Sequence, residues 1–194
     1  VFVYKYFKKM SCRSAILIDN FLSQDRFDDI SSKVVSAPNY TNGEFADLRD
    51  DLWKEVTDIV FERLKEIGLY FYHFEEASKL ASFSYNQFRP SNYGHGNMYG
   101  PHKDNGSYVF YIHPHWDENW EGKLKITNAV EEKYKEGIFA KPNRFIWMDP
   151  HTLHDISTTS KNSEHARVTN LGFLGGEIYV DPVGVNYLNI FTND

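Results

Sequence analysis

The chain has 194 residues, of which 41% are hydrophobic and 25% charged, a composition typical of a folded domain and not of a disordered chain. This length suits one core, so we predict a single domain over residues 1–194. The net charge of -6 argues against nucleic acid as the main partner, because phosphate binding needs clustered Lys and Arg. No apolar run reaches the roughly 18 residues of a membrane span, so no membrane partner is expected.

The N-terminal segment bears on location. Residues 1–9, VFVYKYFKK, are aromatic and basic but lack the apolar centre of a secretion signal. Met10 is a candidate start, in which case residues 1–9 are a leader or an added segment. Cys12 is the only cysteine, which excludes an intrachain disulfide and fits a reducing, cytoplasmic location. The oligomeric state does not follow from the sequence.

The first third of the chain predicts one strand and two helices. Residues 15–19 have the character of a buried strand, and apolar residues at helical spacing predict an amphipathic helix over 24–36. A longer helix is expected over about 46–67, where one apolar stripe ends before Gly68, a natural C-cap residue. We interpret this region, to about residue 70, as helical support for a sheet that carries no chemistry.

Beyond Gly68 the sequence becomes aromatic and β-branched, which indicates strands. The loop PSNYGHGNMYGP is rich in Gly, Asn and Pro and is where substrate contacts or a lid are expected. Short strands separated by turns are predicted at 69–74, 80–88, 107–112, 122–127, 137–141, 144–148, 153–158, 166–174 and 186–191. Two helices followed by many strands, without βαβ alternation, favour an α+β fold that is mostly β, with both helices on one sheet of a β-sandwich or jelly roll whose core spans 80–175.

Three residues predict a metal site. His102 and Asp104 flank a single residue, so on a strand both side chains point to the same face. His154 follows much later in the chain, directly after the turn signal Asp149-Pro150. Two imidazoles and one carboxylate on one side of a metal form the facial triad of non-haem Fe(II) oxygenases. The alternative for His154 is a histidine that is merely hydrogen-bonded in the core or at the surface.

Arg167 distinguishes between metal chemistries. In the strand HARVTNLGF it shares one face with Thr169, Leu171 and Phe173. An arginine on such an inward face is costly unless it meets an anion, and a guanidinium suits bidentate binding of a carboxylate. A dicarboxylate held by Arg167 at one end and by the metal at the other would satisfy both charges. The alternative is an outward-facing arginine paired with an acid such as Glu164.

The order of these motifs resembles that of a known enzyme family. The motif His-x-Asp is followed by a strand ending in Trp116 and Trp120-Glu-Gly-Lys-Leu, then by KPNRFIWMD, His-x-Ile and Arg, and the opening AILIDNFLS fits as well. In this order the chain is similar, over about residues 15–175, to the Fe(II)- and 2-oxoglutarate-dependent dioxygenases of the prolyl 4-hydroxylase-like group. The resemblance implies a double-stranded β-helix, a jelly-roll variant. It also implies an oxidoreductase that uses O2, converts 2-oxoglutarate to succinate and hydroxylates a C–H bond.

The resemblance also implies roles for individual residues. His102, Asp104 and His154 would be the catalytic ligands of Fe(II). Arg167 would bind the distal carboxylate of 2-oxoglutarate, and Thr169 would assist it. Ascorbate is a candidate reductant.

Aromatic residues upstream of His102 complete the implied site. A family tyrosine contacts 2-oxoglutarate; Tyr93 is the first choice for that role, with Phe88 and Tyr85 as alternatives. Tyr99 lies near the metal ligands in sequence and is the candidate substrate contact. Peptidyl proline is the leading substrate class, and a free amino acid or another small metabolite stays open.

Three features depart from the family pattern. His154 and Arg167 are 13 positions apart, which is more than usual, and the segment STTSKNSEH between them is expected to loop out. Many prolyl hydroxylases have Lys where this chain has Arg167. The segment SNYGHGNMYG before His102 is also longer than usual.

Two alternatives compete with this interpretation. His113 and His115, with Asp117 or Glu118 nearby, could form a cupin-type metal site, although Pro114 would break the strand that carries such ligands. A non-enzymatic jelly-roll module that holds a structural metal is the other alternative.

The remaining polar and aromatic features have simpler interpretations. We predict that three further histidines are solvated, although one of them, His151, is also a candidate to orient a metal ligand: His95, His151 and His165. The tryptophans are expected to pack in the core or at its rim: Trp116, Trp120 and Trp147. The charged run at 131–137 is expected to be a solvated turn.

Overall fold

The structure is a computed structural model. It describes residues 8–9, 14–36, 47–48, 51–71, 82–86, 100–157, 159–160, 162–165, 167–174, 178–180 and 186–190. Within these residues the protein is a mixed α/β structure with antiparallel sheets and three α-helices.

The helices are α1 (Gln24–Val35), α2 (Asp51–Glu66) and α3 (Glu132–Glu136), and a 3-10 turn covers Glu118–Trp120. The strands are β1 (Lys8–Lys9), β2 (Ser14–Ile18), β3 (Asp47–Leu48), β4 (Tyr70–Phe71), β5 (Ser82–Asn86), β6 (Ser107–Tyr111), β7 (Leu124–Ile126), β8 (Phe145–Met148), β9 (His154–Ile156), β10 (Arg167–Phe173), β11 (Ile178–Val180) and β12 (Asn186–Asn189). None of the described helices is long and apolar enough to cross a membrane.

The strands form three antiparallel sheets. The large sheet has seven strands in the order β12-β2-β8-β6-β10-β5-β3. The small sheet pairs β7 with β9, and single bridges extend it on both sides, from His154 to His102 and from Leu124 to Ile138. A third sheet has the order β1-β11-β4.

The two helices α1 and α2 cover one face of the large sheet. Phe27, Ile30 and Val34 recur at helical spacing on α1, and all three are buried against the sheet together with apolar residues of α2. Alternation along the strands supplies the other side of this layer, because Tyr108 and Phe110 of β6 face the helices. Each fully buried side chain of this size stabilises the fold by about 1.5–3 kcal/mol, which makes this layer a major source of stability.

The opposite face of the large sheet belongs to a second core. Val109 and Tyr111 alternate with the helix-facing residues of β6 and are buried against Leu124 and Ile126 of the small sheet. Trp116 and Trp120 close this core at one end. The residues predicted to carry chemistry border this second core.

The element predictions hold where the sequence period is clear. The helix expected over 24–36 is confirmed as Gln24–Val35. The helix expected over 46–67 is shorter, Asp51–Glu66, because Asp47–Leu48 pairs with β5 at the edge of the large sheet.

Two predicted features are wrong. Residues 137–141 do not form a strand, since Ile138 makes only an isolated bridge to Leu124. The charged run at 131–137 is not a turn but contains helix α3, which an ion pair between Lys135 and Glu132, one helical turn apart, helps to hold.

Candidate metal centre

Three side chains meet at the edge of the small sheet: His102, Asp104 and His154. Each offers one ligand atom, and these atoms all lie within 4.8 Å of one another. His154 Nε2 is 3.3 Å from Asp104 Oδ2, and the imidazole ring centroids of His102 and His154 are 4.5 Å apart. The structure therefore brings together the three residues that the sequence predicts as metal ligands, in a group that could hold a metal ion.

Backbone pairing fixes the two imidazoles side by side. The amide of His102 donates to the carbonyl of His154, and the amide of His154 donates to the carbonyl of His102, both at 2.9 Å. Residues that exchange both hydrogen bonds in an antiparallel pair project their side chains to the same face. Asp104 follows His102 by two residues and reaches the same group.

Each histidine is oriented by a carbonyl two residues before it. His102 Nδ1 lies 2.8 Å from the carbonyl oxygen of Gly100, and His154 Nδ1 lies 3.2 Å from that of Thr152. An Nδ1–H donor to each carbonyl leaves the lone pair on Nε2, which is the arrangement of a metal-binding imidazole. His154 is buried, whereas His102 is half-buried, so the group is open on one side.

Asp104 is poised to be a charged ligand. Before a metal binds, with a proton on His154 Nε2, the hydrogen bond from His154 holds the pKa of the Asp104 carboxyl below its usual value; burial opposes this effect, and the charges of both imidazoles add to it. Ligand atoms bound at about 2.1 Å and at right angles to each other are about 3 Å apart, close to the His154–Asp104 separation of 3.3 Å. Two imidazoles and one carboxylate suit Fe(II) and also Zn(II), so the donor set fits a divalent transition metal.

Arg167 is buried between the two sheets, with 2% of its surface exposed. Its Nη1 donates to the carbonyl of Gly122 at 2.7 Å, and its Cζ lies 5.9 Å from the centre of the Tyr111 ring. The alternative of an outward-facing arginine is therefore wrong. The reason is the alternation in β10, where Val168 takes the helix-facing side and is buried there.

Tyr111 is a functional candidate that the sequence interpretation missed. It is completely buried, and its Oη has no hydrogen-bond partner among the described residues. Its Cα pairs with that of Thr169, which places it on the same face as Arg167. Burial raises the pKa of Tyr111, so the hydroxyl keeps its proton and remains a donor. A buried phenol beside a buried guanidinium is suited to a carboxylate acceptor.

The other predicted contacts of the co-substrate have different outcomes. Thr169 is buried beside Tyr111, as its position in β10 predicts. Tyr93, Tyr99 and Phe88 lie outside the described residues, so their roles remain predictions. Tyr85 lies in β5, where its backbone pairs with that of Val168 in β10, and its role as a contact of 2-oxoglutarate also remains a prediction.

The alternative metal site at His113 and His115 is wrong. His113 is fully buried; its Nε2 lies 2.8 Å from the carbonyl oxygen of Ala140, and its Nδ1 accepts from the amide of Val168 at 3.2 Å. Both ring nitrogens are therefore used by the backbone. Burial lowers the pKa of His113 to about 3, so it is neutral and structural. His115 is exposed.

The described residues between β9 and β10 belong to no named strand or helix, as the predicted loop requires, and several of them pack on the protein. Thr159 is buried and bridged to Glu121, and the amide of Ser160 donates to the carbonyl of Trp120 at 2.7 Å. His165 is half-buried with its ring 5.0 Å from that of Trp120, so its predicted solvation is wrong.

The two remaining histidines that were expected to be solvated have separate outcomes. His151 is exposed, as predicted. His95 lies outside the described residues.

An open pocket of about 510 Å³ lies where α1 begins, beside α2, and contains none of the predicted site residues. Its two arginines are already paired with acids, Arg26 with Glu62 at 2.8 Å and Arg63 with Glu66 at 3.1 Å. The pocket therefore offers no free charge for a ligand, and we assign no chemistry to it.

The candidate site thus has two parts that border one core. One is the group of His102, Asp104 and His154, which could hold a metal. The other is Tyr111, whose hydroxyl has no hydrogen-bond partner among the described residues, together with the buried Arg167 beside its ring. No protein-family model and no curated protein sequence matches this chain.

Proposed function

We propose that this protein is an Fe(II)- and 2-oxoglutarate-dependent dioxygenase that hydroxylates a C–H bond, with peptidyl proline as the leading substrate class. The observation that carries the proposal is the presence of a 2-His-1-carboxylate group together with a buried arginine and a tyrosine hydroxyl without a described partner. A buried guanidinium is suited to bidentate binding of a carboxylate, and Arg167 lies beside the Tyr111 hydroxyl donor on the same face of the large sheet. A 2-oxo diacid that binds the metal at one end and Arg167 at the other accounts for both features.

We infer further that the fold is a double-stranded β-helix. Supporting this, the chain passes from β5 in the large sheet to His102 in the small one, and then through β6 (large), β7 and Ile138 (small), β8 (large), β9 (small) and β10 (large). This alternation between two facing sheets is the connectivity expected of a jelly-roll variant.

Each part of the site then has a role. His102, Asp104 and His154 would hold Fe(II), which when bound supplies the redox chemistry that couples conversion of 2-oxoglutarate and O2 to succinate and CO2 with hydroxylation of a C–H bond. Arg167 and Tyr111 would donate hydrogen bonds to the distal carboxylate, and Thr169 would border it. The apolar second core excludes water around these donors, which strengthens their interaction with the acid.

Binding without O2 tests the proposal. Fe(II) and then 2-oxoglutarate, added to the protein under anaerobic conditions, should produce a visible charge-transfer absorption band. Arg167→Ala should weaken 2-oxoglutarate binding about 30- to 100-fold, because it removes a charge-assisted hydrogen bond, while Fe(II) binding stays unchanged. Arg167→Lys keeps the charge but not the bidentate fork, so its affinity for 2-oxoglutarate should lie between those of the wild type and Arg167→Ala.

Turnover tests the substrate class. Succinate release should be measured with proline-containing peptides and with free amino acids. Stimulation only by free amino acids would contradict a peptidyl substrate and leave the dioxygenase assignment intact. A protein that binds Fe(II) but neither binds 2-oxoglutarate nor forms succinate would be a metal-binding module instead.

A further inference from the structure

The turn at Glu121 and Gly122 holds Arg167 from the opposite side of the second core. The carbonyl of Gly122 accepts from Arg167 Nη1 at 2.7 Å, and the carbonyl of Glu121 accepts from Trp116 Nε1 at 2.9 Å. Both residues have positive φ, 57° at Glu121 and 69° at Gly122. This conformation is unfavourable at a residue other than glycine, so the surrounding contacts must maintain it at Glu121.

Gly122 leaves little room for a side chain. A Cβ at this position would lie 3.1 Å from Thr159 Oγ1, 3.3 Å from Arg167 Cδ and 3.5 Å from Trp116 Cζ2. The lack of a side chain therefore lets the Arg167 stem lie against the turn while its guanidinium reaches the Gly122 carbonyl. The Arg167 side chain thus passes close to Gly122 at Cδ and bonds to it at Nη1, and both features limit where the guanidinium can stand.

The segment after β9 closes the outer side of this turn. Ser157 forms two hydrogen bonds with Lys123, from its amide to the Lys123 carbonyl at 2.9 Å and from the Lys123 amide to its hydroxyl at 2.8 Å. Thr159 is buried and bridged to Glu121. The turn is thus held between Arg167 and this segment.

We propose that Gly122 is a positioning residue that fixes the Arg167 guanidinium at one distance from the metal group and thereby selects the length of the 2-oxo diacid. This inference rests on the proposed function. A guanidinium on a mobile stem would follow a shorter or longer acid, whereas one held at two points accepts only the acid that spans the gap. Oxaloacetate, 2-oxoglutarate and 2-oxoadipate differ by one methylene each, so they measure that gap in steps.

Calorimetric titration of the Mn(II)-loaded protein with these three acids tests the proposal, because Mn(II) replaces Fe(II) without turnover. The wild type should bind 2-oxoglutarate more tightly than both homologues. Gly122→Ala should weaken 2-oxoglutarate binding at least about 10-fold, because the methyl group displaces the Arg167 stem. It should also narrow the preference over the homologues and leave the Kd for Mn(II) unchanged.

Two controls separate this effect from general strain. Gly68→Ala places the same methyl group at a positive φ of 77° beyond the end of α2, and it should lower stability without changing acid affinity or preference. Gly122→Ala combined with Thr159→Ala removes the nearer contact and lets the methyl group move away from Arg167, so part of the lost affinity should return.

Each outcome decides a different question. If the Gly122→Ala protein keeps wild-type affinity and length preference, or loses Mn(II) binding in parallel with acid binding, the positioning role is wrong and the proposed function stands. If the wild type binds Mn(II) but none of the three acids, the proposed function fails, and this inference with it. Should Gly122→Ala not fold, Trp116→Phe loosens the same turn by removing the hydrogen bond to Glu121, and it should weaken acid binding alone.

Discussion

The two faces of the large sheet differ in how they treat buried polar groups. On the helix side, Tyr108 Oη donates to Asn170 Oδ1 at 2.8 Å, and Asn170 Nδ2 donates to Thr57 Oγ1 at 3.1 Å. On the other side, Tyr111 of the same strand is equally buried, but its hydroxyl has no partner among the described residues. Buried polar groups are nearly always hydrogen-bonded, so this difference supports the proposal that the second face binds a ligand, whereas the helix side serves stability.

The largest expected effect is on Fe(II) affinity, and it tests whether the metal group that borders the second core binds a metal. His154→Ala should reduce Fe(II) affinity at least about 100-fold, because it removes one of three protein ligands and the partner of Asp104. His151→Ala, three positions earlier and exposed, is the matched control and should bind Fe(II) as the wild type does. Anaerobic calorimetric titration with Fe(II) measures both, and equal affinities would remove the basis for distinguishing the two faces.

A second prediction concerns His113, a buried histidine whose ring bonds to the backbone of Ala140 and of Val168. An unfolded histidine takes up a proton near pH 6.5, whereas the folded His113 stays neutral down to about pH 3. The unfolded state therefore binds more protons in this range, and stability falls as the pH falls, by about 2 kcal/mol between pH 6.5 and pH 5. His113→Gln should reduce this slope, as measured by urea unfolding at several pH values.

His115→Gln provides the control for this slope. His115 is exposed and two residues from His113, so its replacement should leave the dependence of stability on pH unchanged. If stability depends equally on pH in the wild type and in His113→Gln, the burial of a neutral His113 is not the cause of the loss of stability in acid.

The tyrosine pair sharpens the comparison directly. Tyr108→Phe should destabilise the protein by about 1–2 kcal/mol, because it leaves Asn170 without its donor. Tyr111→Phe should be neutral or slightly stabilising, since it removes a hydroxyl without a described partner, yet it should weaken 2-oxoglutarate binding. Chemical denaturation measures the stability of both variants, and titration with 2-oxoglutarate measures their affinity for it. Tyr108→Phe should be the less stable variant and Tyr111→Phe the weaker binder. If one variant were worse in both measurements, the division of roles would be contradicted.

The smallest expected effect lies on neither face. Asp19, at the end of β2, bonds to Arg144 Nε at 2.6 Å, which holds the pKa of the Asp19 carboxyl below its usual value. Asp19→Asn should cost at most about 1 kcal/mol near neutral pH, because the pair is partly exposed and screened by solvent. This contribution is present above the unfolded value of 3.8 and is lost as the pH falls through the lower folded pKa.

Ligand affinity provides the control for the Asp19 prediction. Asp19→Asn should leave Fe(II) and 2-oxoglutarate affinity unchanged, because it is not one of the residues that meet at the candidate centre. The difference in urea midpoint between the variant and the wild type should shrink in high salt. A change in metal affinity would show that the end of β2 is coupled to the site.

The sequence by itself determined the features that depend on local period and spacing. Alternation in β10 was enough to predict that Arg167 and Thr169 share a buried face. The spacing of His102 and Asp104 put two ligands on one side, and apolar recurrence located α1 almost to the residue. Such patterns are readable because the backbone geometry of a strand or helix repeats within a few residues.

Only the tertiary structure decided which distant residues became neighbours. Tyr111 is a candidate hydrogen-bond donor to the acid because β6 pairs with β10 and places it beside Thr169. No local signal in the sequence marks that pairing. Gly122 matters because Arg167, Thr159 and Trp116 surround it. The segment after β9 has the composition of a loop, but it packs against the Glu121 turn because its backbone finds partners there. These contacts depend on strand order and register, which are set by burial over the whole chain.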